Sequence, residues 1–130
     1  MFEEPVLNNE TEQNDAHDSI WRQEKAIERL GGEKALLQRL AKLFLRDTPG
    51  LLESAKLGIE SKDYDAAFVP LHSIKGTSSS FCADDFERSC ECTLEALSKR
   101  EWQRARDSNN ELTKHYKDFK ATLEAFILDA

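Results

Sequence analysis

From residue 20 onward the apolar positions recur every three or four residues, the spacing of one face of an α-helix. Ile20, Trp21, Ile27 and Leu30 mark a first helix, with Ser19 placed to cap it and Gly31-Gly32 as its left-handed stop. A second helix is predicted from about Glu33 to Asp47, with Leu36, Leu37, Leu40, Leu43 and Phe44 facing inward. Thr48-Pro49 reads as an N-cap followed by proline at the first helical position. It opens a third helix, which carries Leu51, Leu52, Ala55 and Ile59 and stops near Ser61-Lys62. Asp63 caps a fourth, with Tyr64, Ala67, Phe68, Leu71, Ile74 and Phe81. Pro70 lies inside it, which predicts a kink or break between Ala66 and Pro70. Asp84 caps a fifth, with Phe86, Cys90, Leu94 and Leu97 inward. The last helix opens near Glu101. Its seam of Trp102, Ala105, Asn109, Leu112, Tyr116, Phe119, Leu123 and Phe126 is interrupted only by Asn109.

The short connections between these segments make neighbouring helices antiparallel. The fold class is therefore all-α, an up-and-down antiparallel four-helix bundle with additional N-terminal helices. The domain is expected over residues 20–130, behind a flexible tail or linker at residues 1–19. A chain of 130 residues can bury enough surface for one core without staples.

Charge changes the picture only when divided. The net charge is -7, but the first nineteen residues hold six acids and no Lys or Arg. The remainder has 18 basic against 19 acidic side chains. No basic block is present to hold a phosphate backbone, so nucleic acid is not an expected partner. No apolar run reaches the ~20 residues of a membrane span, and no secretory signal opens the chain, so the expected location is cytoplasmic without direct membrane contact. No second apolar stripe is left over, and a monomer is expected. Cys82, Cys90 and Cys92 read as small residues of a reducing compartment. Together with His17, His72 and His115 they make no metal-ligand spacing, so no metal or other cofactor is expected in this chain.

One segment departs from a plain amphipathic helix, LHSIKGTSSS at residues 71–80. His72, Lys75, Gly76 and Ser79 stand at i, i+3, i+4 and i+7 and form one polar strip. Imidazole side chains titrate near ~6.5 in model peptides, leaving a ring nitrogen free as a nucleophile at neutral pH. A lysine one turn on can meet anionic oxygens carried by that nitrogen. Glycine inside a helix is about 1 kcal/mol less favourable than Ala, and its bare backbone admits a close partner. On these residues alone a second reading stands beside the first. A lone helical histidine with a lysine one turn away is a common pairing without a role, Gly76 is then a packing notch against another helix, and the serine run ends a helix poorly.

Residues 71–83, LHSIKGTSSSFCA, resemble the signature of histidine-containing phosphotransfer (HPt) domains, the intermediate carriers of multistep phosphorelays. Residues 26–54, AIERLGGEKALLQRLAKLFLRDTPGLLES, look like that family's opening helices around a Leu-Gly-Gly turn, and Asp63-Tyr64 and the long closing helix also fit. The resemblance spans about residues 20–128. It implies that His72 is the phospho-acceptor, receiving a phosphoryl group from the aspartyl phosphate of a response-regulator receiver domain and passing it to another. It implies that Lys75 stabilises the phosphoryl oxygens, that Gly76 keeps the surface low for docking, and that Ser79 contacts the partner. Magnesium is then expected on the receiver.

Two residues depart from the family pattern. Cys82 stands where a glycine is usual, so left-handed backbone there would be strained, and Pro70 falls two residues before the histidine. The competing expectation is a non-phosphorylated helical docking module that only binds receivers. An autonomous kinase is excluded by the lack of a glycine-rich nucleotide loop. The acidic stretch ending at Asp18 resembles a linker after another domain, as in a hybrid sensor histidine kinase that would tether the module to the inner membrane.

Overall fold

A computed structural model of the chain describes residues 21 to 129. Those residues form five α-helices and one short 3-10 turn: α1 (Gln23–Arg29), α2 (Lys34–Glu60), α3 (Tyr64–Ser78), the turn Ser79–Phe81, α4 (Asp84–Ser98) and α5 (Trp102–Leu128). Each of the long helices packs on the next in sequence, and α5 closes the ring against α2. The result is an antiparallel four-helix bundle of α2 to α5, with α1 as a short N-terminal addition against α2 and the 3-10 turn. The acidic tail, His17 and the cap expected at Ser19 lie outside the described residues.

The helical seams fill the core as their periodicity requires. Ala105, Asn109, Leu112, Tyr116, Phe119, Leu123 and Phe126 of α5 are all buried, so the polar Asn109 does sit in the seam. Phe44, Phe81, Phe86 and Phe119 pack around one another at tilted and edge-on angles. Trp21, just before α1, seals one end against Phe81, Phe119 and Phe126. Arg22 pins this segment down by pairing with Asp84 at 2.9 Å.

Three expectations about element boundaries need correction. The predicted second and third helices are one continuous helix, α2, with Pro49 inside it. Proline removes the bond to the carbonyl four residues back, here Leu45. The Tyr116 hydroxyl of α5 donates to that carbonyl at 3.4 Å, so the fold supplies another partner. The extra N-terminal helices therefore reduce to α1 alone. Helix α3 likewise runs through Pro70 without the break that the sequence allows between Ala66 and Pro70. Asp84 is the first helical residue of α4 rather than its cap, which is Ala83, and its carboxylate is turned to Arg22 instead.

The turns share one device. After α1, α2 and α4, the amide five residues on bonds back into the last turn: Gly32 to Ile27 at 3.0 Å, Asp63 to Gly58 at 2.9 Å and Glu101 to Ala96 at 3.0 Å. This Schellman geometry needs a left-handed residue, which is Gly31 in the first case but Lys62 and Arg100 in the others. Asp63 then opens α3 as expected, its Oδ1 accepting from the Ala66 amide at 3.1 Å.

The cysteines differ sharply in access. Cys82 and Cys90 are buried and Cys92 is exposed. Burial pushes the Cys90 thiol up to about 12, and its Sγ lies 3.4 Å from the Leu71 carbonyl. At pH 8 only on the order of one Cys90 in ten thousand is thiolate, the reactive form. A maleimide should therefore modify Cys92 rapidly in the native protein, leaving Cys90 and Cys82 unmodified until denaturant is added. Peptide mass mapping before and after unfolding checks this.

Candidate functional site

The strip predicted around His72 stands on the outer face of α3. Leu71, Ile74 and Ser78 point into the core and are fully buried, so helical geometry turns His72, Gly76 and Ser79 outward, and all three are exposed. Lys75 is partly exposed on the same side. His72 is therefore no part of the core. The packing-notch reading of Gly76 fails, because a Cβ built there meets nothing within 4 Å. Gly58, in contrast, is a real notch: a Cβ there would come within 2.5 Å of the Ala67 amide nitrogen.

Lys75 is not isolated. Its Nζ lies 3.7 Å from Oε2 of Glu91 on α4, with both side chains about half exposed. Such a pair is worth at most about 1 kcal/mol, so the ammonium can turn to another anion at little expense. Sequence reasoning misses Glu91, because nothing in local spacing connects it to Lys75; the contact exists only through the packing of α3 on α4. Ser79 begins the 3-10 turn, where its hydroxyl donates to the Gly76 carbonyl at 2.9 Å and its own carbonyl accepts from Arg29 at 3.3 Å. It stays on the exposed strip while also finishing α3.

The imidazole is stacked on its neighbour one turn back. The rings of Phe68 and His72 lie 5.3 Å apart between centroids and only 14° from parallel. Periodicity assigns Phe68 to the core; it is half-buried, packed against the core while it stacks on His72.

After the strip, Cys82 adopts left-handed backbone with φ 57° and ψ 38°, the conformation for which glycine is suited. The strain expected there is present, since a Cβ crowds its carbonyl in this region by roughly 1–2 kcal/mol. Burial of the Cys82 side chain offsets it. The turn it makes carries the chain from the end of α3 into α4 and so sets where Glu91 meets Lys75.

Beside the strip, between α2 and α3, runs a groove of about 280 Å³ lined by Leu40, Leu43, Phe44 and Leu51 from one helix and Ser73 and Thr77 from the other. Leu43 is 45% exposed in it, and Val69, one turn before His72, is 66% exposed. No helix of the described residues is long and apolar enough to cross a membrane.

A family model described as the Hpt domain matches residues 39–126. The match starts inside α2 and contains the whole of α3, α4 and most of α5, while α1 lies ahead of it. No curated protein and no solved structure matches the chain. A helical bundle with an exposed histidine on its third helix, and a family model covering two-thirds of the length, lead to one assignment: the chain belongs to the Hpt domain family, whose members serve in histidine phosphotransfer within phosphorelay signalling.

Proposed function

We propose that His72 is the phospho-acceptor of a phosphorelay intermediate, taking a phosphoryl group from the aspartyl phosphate of one receiver domain and yielding it to another. The observation that carries this reading is the exposure of His72 beside Lys75 and the open ground over Gly76, on a helix whose opposite face is fully buried. In the forward step an unprotonated ring nitrogen forms an N–P bond while the O–P bond of the acyl phosphate breaks. The aspartate carboxylate leaves with the bonding pair. Such a transfer asks for positioning and charge stabilisation rather than acid-base groups.

Lys75 supplies the charge by leaving Glu91 for the phosphoryl oxygens. Gly76 lets the receiver's active site come down onto the helix, and Ser79 meets the receiver at the end of the strip. Leu43 and Val69 give that receiver exposed nonpolar surface close to the strip. Magnesium belongs to the receiver. The same carrier within a longer hybrid sensor kinase would act in the same way.

The test is incubation with a phosphorylated receiver domain and magnesium, without ATP, followed by intact mass. One added phosphoryl group, labile to acid, is the expected result. No gain from any of several receivers would leave the docking-module reading in its place. In the same assay Lys75→Ala should slow transfer roughly a hundred- to a thousandfold, the scale of losing one charge-stabilising group. Its melting temperature should stay within about 2 °C, since the substitution removes only an exposed pair.

A further inference from the structure

The stack beneath His72 is longer than one ring. Tyr64, Phe68 and His72 occupy successive i, i+4 places on α3, with Tyr64 and Phe68 5.5 Å apart and 17° from parallel. The guanidinium of Arg100, from the left-handed position between α4 and α5, closes the far end 3.9 Å from the centre of the Tyr64 ring. The next place in the row is Gly76, with no side chain at all. Helical side chains lean toward the helix N-terminus, so the imidazole is laid on Phe68 and away from Gly76. One face of the His72 ring is thereby covered and the other left open. Among the described residues no hydrogen bond or ion pair reaches His72, and the stack is what orients its ring.

We propose that Phe68, backed by Tyr64 and Arg100, is a positioning residue that holds the His72 imidazole in one orientation for phosphoryl transfer. This rests on the phosphotransfer reading of His72. An exposed histidine on a helix would otherwise exchange among rotamers, and only some of them point a ring nitrogen at an incoming phosphorus. In-line transfer to a ring already fixed avoids that search. The cation over Tyr64 holds the outer ring by its π-face, so the column is anchored to the turn between α4 and α5 rather than to α3 alone. Phe68 also touches the core, and a loss of stability must be told apart from a loss of positioning.

Phe68→Leu keeps the apolar bulk but removes the flat face, and Phe68→Tyr keeps the face. Three quantities are read on the full chain: the single-turnover rate at saturating phosphorylated receiver, the receiver concentration giving half that rate, and the NMR shifts of the His72 ring protons. Phe68→Leu should lower the saturated rate about tenfold with the half-saturating concentration unchanged. The ring protons should lose the upfield shift that a stacked benzene ring imposes. Phe68→Tyr should restore both. A Leu variant that transfers at the unsubstituted rate would overturn the proposal, as would a Tyr variant that is slowed equally. If the unsubstituted chain accepts no phosphoryl group, the phosphotransfer reading falls and the positioning role with it. The ring-proton shifts still report separately whether the column exists.

Discussion

His72→Gln is expected to take up no phosphoryl group from any phosphorylated receiver while remaining folded. The amide of Gln approximates the length and polarity of the imidazole, yet its nitrogen is conjugated with the carbonyl and is no nucleophile. Stability should hardly respond, because His72 is exposed and the change leaves α3 a sound helix former. The variant does give up the stack on Phe68, a ring pair worth about 0.5–1.5 kcal/mol. A melt followed by circular dichroism should therefore fall by no more than several degrees. Intact mass after incubation with the phosphorylated receiver checks the first half of the expectation. One acid-labile phosphoryl group on the variant would move the acceptor elsewhere, with half-buried His115 on α5 the next residue to replace.

The second large effect concerns two glycines that the same substitution should push in opposite directions. Both sit inside helices, where Gly→Ala by itself is favourable by about 1 kcal/mol. At Gly76 nothing opposes that gain, since the new methyl meets no atom within 4 Å. Gly76→Ala should raise the melting temperature by about 4 °C, yet slow transfer by lifting the surface under the receiver. At Gly58 the methyl would lie 2.5 Å from the Ala67 nitrogen and 2.7 Å from the Ala66 carbonyl carbon, both backbone. Backbone cannot rotate aside, so α2 and α3 must separate where they cross. Overpacking of this kind outweighs the helical gain, and Gly58→Ala should lower stability by about 3 kcal/mol. Thermal melts of the two variants beside the unsubstituted chain decide the matter. Equal shifts of the same sign would mean that the crossing of α2 on α3 is looser than its geometry indicates.

This contrast also shows where the sequence stops being readable. Gly58 and Gly76 look alike in a string of letters, each a lone glycine in an amphipathic helix. One is a close approach of two backbones and the other a bare patch beside the exposed His72. The left-handed turns divide in the same way. Gly31 announces its turn, but Lys62 and Arg100 adopt the same conformation because the packed helices on either side require the chain to reverse there. Cys82 is legible only against the family pattern, which expects glycine at that place.

The sequence by itself determined the helical class, the seam of α5, the cap at Asp63 and the strip that carries His72, Lys75, Gly76 and Ser79. These are relations between residues three or four apart, fixed by the 3.6-residue turn before any helix meets another. Only the tertiary structure decided that Pro49 leaves α2 whole, through a hydroxyl 71 residues away from the carbonyl it meets, and that Lys75 rests against Glu91. It also decided that Arg100 closes the ring column under His72. Those contacts depend on the offset between packed helices, which side-chain volumes across the whole core set together. No local spacing records them.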